Sequence, residues 1–365
     1  MRKRLSIFMV LVLMVLSLGA CTGQAPTEKN KGETGKEQAA AKSAPANETQ
    51  TSNAKPKAVV TILPQAEWVK AVAGDLFEVT TLLPPGASPE VYQASPKEMV
   101  ALEEADIYFT ISVPVEVEGI IPNTMTKAKI VDLAKAAADE YPERFFEEDE
   151  FHEHDDHDHG EHKDEAKHDD HDHKDEGKHE DHKHDHDHQA KAKHDDHDDH
   201  HHHSGRDPHI WMSPKRVAVM VIAICDALVE MDAANAETYK KNAETYLNQL
   251  QQKDKKLTEV LSKVKTRDFI IMHPSMGYFA DDYDLDQISI EKEGKQATAE
   301  HLKKVIDFAK DHEIKVIFYQ KEFDNNQAKT IAGEIGGEVM ELEPLAENYL
   351  QNLDKLAETF AATLN

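Results

Sequence analysis

Histidine is the residue through which this chain of 365 is best approached, because 23 imidazoles are available for acid–base work or metal ligation. Nineteen of them fall between His152 and His203, leaving His209, His273, His301 and His312 outside that stretch. His209 stands in Asp207-Pro208-His209-Ile210-Trp211-Met212-Ser213-Pro214, at a loop-to-helix junction. His273 directly follows the apolar run Phe269–Met272, a predicted strand. The carboxyl end of a parallel strand is where α/β proteins place their chemistry. On position alone, His273 reads equally well as a hydrogen-bonded structural histidine. His301 and His312 lie among Lys303, Lys304, Lys310 and Asp311 and are expected to be solvated. Glu90 follows Pro85-Gly86-Ala87-Ser88-Pro89, Glu343 precedes Pro344, and both sit at predicted strand ends, with Gln320 a weaker third. An exposed carboxylate is usually only a solvated charge. Two imidazoles and two carboxylates converging on one cleft would form a four-coordinate transition-metal site.

The elements that would have to position these donors alternate along the chain. Strands are predicted at Lys57–Ile62, Phe77–Leu83, Asp106–Ile111 and Ala128–Val131, with helices at Trp68–Ala73 and at Pro96–Ala105, the latter opened by Ser95. The cadence returns after Arg267, with strands Phe269–Met272, Gln287–Glu291, Lys315–Tyr319 and Glu338–Leu342. Helices Met276–Tyr283, Ala299–His312, Asn325–Ile335 and Tyr349–Leu364 lie between and after them. Between the halves run Pro214–Met231 and Ala233–Val264. The second carries Tyr239, Ala243, Tyr246, Leu250, Leu257, Leu261 and Val264 as one apolar stripe. The expected fold is α/β: two Rossmann-like parallel-sheet lobes joined by a long rigid helix, with the metal site in the interlobe cleft.

Residues 152–203 hold 19 His, 20 Asp or Glu and 7 Lys, for a net charge of −13 within a total of −28. Such a stretch has too little apolar surface to offset chain-ordering entropy and is expected to be disordered. Its closely spaced imidazoles suit labile capture of zinc, with copper and nickel competent and manganese weak. They include His152, His154, His157, His159, His171, His173, His184, His186, His188, His200, His201, His202 and His203. At the N-terminus, Arg2-Lys3-Arg4 precedes an apolar run from Leu5 to Leu18 and then Gly19-Ala20-Cys21, the pattern of an export signal. Cys21 after Leu18-Gly19-Ala20 resembles the bacterial lipoprotein box, so its thiol is expected to be acylated and to anchor the protein. Residues 21–56 read as a flexible tether. Cys225, in an apolar run, is expected to be a buried thiol. Two cysteines exclude a disulfide scaffold, and the negative charge excludes nucleic acid as a partner. A mean hydropathy of −0.65 excludes a multi-span membrane protein.

Taken in order, Pro85-Gly86-Ala87-Ser88-Pro89, Asp207-Pro208-His209-Ile210-Trp211 and His273-Pro274-Ser275-Met276-Gly277-Tyr278-Phe279 resemble the zinc/manganese solute-binding lipoproteins of bacterial metal ABC importers. The resemblance runs from about Lys57 to the C-terminus. It implies metal bound between two lobes and handed to a membrane permease, by a monomer that is not an enzyme. His209 and His273 match the family's second- and third-ligand motifs, and Glu343 its C-terminal carboxylate. Glu90 stands where the family usually has histidine. An oxygen donor there suits manganese as well as zinc, while the histidine-rich insert points to Zn(II), with Mn(II) second. The expected organisation is a signal over 1–20, a tether over 21–56 and a first lobe over 57–213 that includes the insert 147–205. Connecting helices over 214–265 and a second lobe over 266–365 complete it. A secreted metallohydrolase would need a motif such as His-Glu-x-x-His, which does not occur in the sequence. A surface metal buffer or adhesin, with the insert as its active part, is the remaining alternative.

Overall fold

A computed structural model describes residues 55–146, 205–291 and 295–365. The export signal, Cys21, all but the last two tether residues, and the insert histidines lie outside the described residues. The first lobe runs β1 (Lys57–Val60), α1 (Leu63–Ala73), β2 (Glu78–Thr81), α2 (Pro96–Glu103), β3 (Ile107–Thr110), β4 (Lys129–Asp132) and α3 (Leu133–Ala138). Its four strands are all parallel, in the order β2-β1-β3-β4. Two long helices follow, α4 (Pro214–Met231) and α5 (Ala236–Leu261). The second lobe runs β5 (Asp268–Ile271), α6 (Gly277–Tyr283), β6 (Asp286–Ser289), α7 (Ala299–Asp311), β7 (Val316–Tyr319), α8 (Asn326–Ile335), β8 (Glu338–Glu341) and α9 (Tyr349–Thr363). Its parallel order is β6-β5-β7-β8. The fold is therefore α/β with two parallel-sheet lobes, as the strand–helix cadence implies.

The local chemistry explains most boundaries. Ser95 and Glu98 close a capping box over the first turn of α2, with Pro96 in its first turn, where a missing N–H costs nothing. Asp132 accepts the Lys135 amide at 2.9 Å and starts α3, a helix the periodicity does not reveal because it has only six residues. α5 begins three residues later than its pattern predicts, because Ala233–Asn235 form a 3-10 turn after Asp232. Every predicted stripe residue of α5 from Tyr239 to Leu261 is buried. α5 packs on α1 and α4 at the first lobe and on α9 at the second.

One continuous core joins β1, β3, α1, α4 and α5 to the face of the second sheet that packs under α9. A second, smaller core lies between the other face of that sheet and α7 and α8. Burial across the joint is reinforced by polar ties. The Trp211 indole N–H donates to the Pro344 carbonyl at 3.0 Å, and the Tyr349 hydroxyl to the Trp211 carbonyl at 2.8 Å. The chain on either side of residues 147–204 is drawn together by a short antiparallel pairing, in which Phe146 N–H meets the Gly205 carbonyl and Asp207 N–H the Arg144 carbonyl. Cys225 is a free, buried thiol, as its apolar run implies. Among the described residues no helix is long and apolar enough to cross a membrane.

Candidate metal centre

Glu90 reaches the cleft on a loop stiffened by its own sequence. Pro84-Pro85-Gly86-Ala87 closes a turn with Ala87 N–H on the Pro84 carbonyl, and Gly86 takes φ +83°, where a side chain would be strained. The Ser88 hydroxyl then donates to Glu90 Oε2 and accepts the Glu90 amide at 3.2 Å. One carboxylate oxygen is thereby committed, and Oε1 faces the two histidines.

His209 lies just before α4, at the head of a 3-10 turn, Ile210–Met212. Asp207 Oδ1 accepts both the His209 amide at 2.9 Å and the ring Nδ1–H at 2.8 Å. His273 follows β5, and its Nδ1–H is 3.1 Å from Glu291 Oε2. Phe323 stacks on the His273 ring at 4.0 Å, and the Ser275 amide holds the His273 carbonyl. Both histidines are 2% exposed. With Nδ1 tied behind, each ring presents Nε2 to the same point.

The three donor atoms form a compact triangle. Glu90 Oε1 is 3.0 Å from His209 Nε2 and 3.6 Å from His273 Nε2, and the two nitrogens are 3.3 Å apart. A tetrahedral zinc with bonds of about 2.0–2.1 Å spaces its ligand atoms by about 3.3–3.4 Å, so the triangle brackets the required edge. Among the described residues this is the group of three His, Cys or carboxylate donors close enough to share an ion.

The electrostatics agree with a site built for a cation. Burial by itself would lower the His209 imidazole, but its hydrogen bonds to Asp207 and Glu90 outweigh that and raise it to about 9. Burial would likewise raise Glu90, yet hydrogen bonds from His209 and His273 hold its carboxyl well below the usual carboxylate range. The pocket thus stabilises positive charge at Nε2, which a proton or a metal ion can supply.

Glu343 is not brought to this group. It stands after β8, two strands away from β5, where Lys321 and Lys355 pair with it at 3.4 and 3.3 Å and hold its carboxyl down against the effect of burial. Gln320 is turned to Ser275 Oγ and steadies the loop after His273. His301, expected to be solvated, is 9% exposed and ties Nε2 to the Ser289 carbonyl at 2.9 Å, whereas His312 lies on the outside of α7 against Phe308. Glu291 and Asp207, the two carboxylates behind the rings, escaped the sequence analysis. Glu291 had a signal, since it ends the predicted strand next to that of His273.

With this geometry in place, comparison with known proteins is decisive. The family model described as "Zinc-uptake complex component A periplasmic", ZnuA, matches residues 58–363. The chain belongs to the ZnuA family. It is 28% identical over 311 residues to the zinc-binding lipoprotein AdcA of Streptococcus pneumoniae, covering 81% of this chain and 53% of that protein. A high-affinity zinc uptake system protein ZnuA of Bacillus subtilis is 33% identical over 151 residues, 41% of this chain and 47% of its own length. The chain therefore spans about half the length of the curated relatives it matches. Among solved structures, a crystal structure of ZnuA superposes with a TM-score of 0.66 at 28% identity, covering 86% of this chain and all of that one. A laminin-binding protein of Streptococcus agalactiae shares the fold at 19% identity and a TM-score of 0.63.

Proposed function

We propose that this member of the ZnuA family captures Zn(II) outside the cytoplasmic membrane and delivers it to the permease of an ABC importer, with Glu90, His209 and His273 as its ligands. The observation that carries this reading is the triangle of donor atoms at tetrahedral spacing, drawn from three separate elements. Two imidazole nitrogens and one carboxylate oxygen suit zinc better than manganese, for which oxygen-rich sites are preferred. The single charge of Glu90 offsets half of the dication, and a water molecule completes four-coordination. Glu90 belongs to the first lobe and His273 to the second, so a small relative shift of the lobes would separate the donors and break the metal–ligand bonds that hold the ion.

Acylation of Cys21 anchors the chain, residues 21–56 give it reach, and the protein works as a monomer without catalytic activity. The imidazoles between His152 and His203 act as an accessory store that ends six positions before His209 in the chain. This division of labour is tested by metal analysis and competition titration of the full chain and of a variant lacking residues 152–203. One tight zinc equivalent should survive the deletion, while several weaker equivalents should be lost. A deletion variant that retains no tightly bound zinc, or one that prefers manganese, would sink the reading.

A further inference from the structure

A second fully buried carboxylate of the first lobe, besides Asp207, lies away from the ligands. Glu116 is fully buried at the start of a π-helical segment, Val115–Ile120. It accepts the Thr61 hydroxyl at the end of β1, the Ile111 amide at 2.9 and 3.1 Å, and the Val113 amide at 3.3 Å. Between those amides, Ser112 takes φ +58°, a left-handed conformation that residues other than glycine adopt only when something holds them there. The turn so held touches both ligand segments of its lobe. Its carbonyl at Ser112 accepts Arg206 Nη1–H at 3.0 Å, and Arg206 adjoins Asp207, the residue that orients His209. Two residues beyond the turn, Val115 N–H donates to the Pro89 carbonyl at 3.0 Å, directly before Glu90.

We infer that Glu116 is a positioning residue for the metal centre: by holding the Ile111–Val113 turn it sets the placement of Glu90 relative to His209. The inference rests on the ligand reading above. The geometry makes the connection specific. Without Glu116, Ser112 keeps only the long bond of its hydroxyl to Asp132 at 3.2 Å and relaxes out of the left-handed region, which moves its carbonyl away from Arg206 and rotates Val115 away from Pro89. Both ligand segments then lose a tie that fixes their separation, although neither ligand has been touched.

The test is zinc competition titration at about pH 8, where Glu116, raised by burial to about 7, is ionised. Wild type, His209→Ala, Glu116→Gln and Glu116→Gln combined with Ser112→Gly are compared, with metal-free melting curves for each. Gln keeps the size of the side chain but removes its charge and leaves one acceptor oxygen where the carboxylate offers two to Thr61, Ile111 and Val113. Zinc should bind on the order of 10-fold more weakly, as for other groups that orient ligands from behind. Adding Ser112→Gly should recover most of that loss, because glycine holds a positive φ without support. Wild-type affinity in Glu116→Gln, or a loss that Ser112→Gly does not recover, overturns the inference. If Glu116→Gln does not fold, Arg206→Gln decides, since it removes the tie to Ser112 without disturbing the buried carboxylate. A several-fold loss there supports the inference and wild-type affinity overturns it. Retention of tight zinc by His209→Ala instead defeats the ligand assignment itself.

Discussion

The two lobes share one strand order, with β1 and β5 as corresponding central strands, yet they use the ends of those strands differently. In the second lobe the chain leaves β5 and reaches the ligand His273 within two residues, and Glu291, beyond the neighbouring β6, holds its ring. In the first lobe Thr61 follows β1, and a buried carboxylate, Glu116, grips it without touching the metal site. The ligand comes instead from the loop beyond β2, at Glu90. The same scaffold therefore offers two routes to a donor. A strand end supplies rigidity from the sheet ladder, whereas a loop must carry its own stiffness, here from prolines, Gly86 and Ser88. The loop donor is the one whose chemistry can change without disturbing a sheet.

That contrast can be broken most severely at the ligands themselves. His273→Ala should weaken zinc by more than the roughly 10–100-fold expected for removal of a group that merely orients a ligand. Glu90→Gln should also weaken zinc substantially while leaving the metal-free melting temperature nearly unchanged, because the loop is held by its own turn. Glu90→His should restore binding and shift the preference from manganese toward zinc, since it exchanges an oxygen donor for imidazole. Glu343→Gln serves as the control and should leave zinc affinity within about twofold, since its partners are Lys321 and Lys355. Isothermal titration of all four with both metals checks the set. Unchanged affinity in Glu90→Gln would reduce Glu90 to a loop charge.

A smaller effect separates a ligand from the group behind it. Glu291→Gln should lower zinc affinity by about 10–100-fold, and the absorption spectrum of the cobalt-substituted protein should shift as the His273 ring reorients. Retention of both affinity and spectrum would assign Glu291 to packing alone.

The gentlest perturbation is pH. Because the folded state raises His209 from 6.5 to about 9, its charge stabilises the metal-free protein fully below pH 6.5, and that stabilisation is lost as pH rises through about 9. Zinc binding has the opposite sign, since the ion replaces the proton at Nε2. Affinity should rise by up to about tenfold per pH unit between 6.5 and 9, with about one proton released from His209 per zinc at neutral pH. Calorimetry in buffers of different ionisation enthalpy counts that proton. A count near zero would mean that His209 is already neutral before zinc arrives.

What could be read from the sequence by itself was whatever depends on near neighbours in the chain. The apolar stripe of α5, the cap at Ser95 and Pro96, the turn at Pro85-Gly86 and the strand–helix alternation are all local, and each is present in the fold. His209 and His273 could be singled out because each stands at the edge of a predicted element, within a short motif of its own, although position alone did not separate His273 from a structural histidine. The roles of the carboxylates were not legible. Glu291 and Glu343 both stand at the ends of strands of one sheet, and the flanking residues drew attention to Glu343, before Pro344, rather than to Glu291. The tertiary order decides between them: β6 lies beside β5, so Glu291 meets His273, whereas β8 is two strands away and leaves Glu343 to Lys321 and Lys355. Glu116 was invisible for the same reason, since the Thr61 hydroxyl it accepts comes from 55 residues earlier in the chain. A carboxylate takes its role from the charges and donors that surround it, and only the assembled sheet decides which those are.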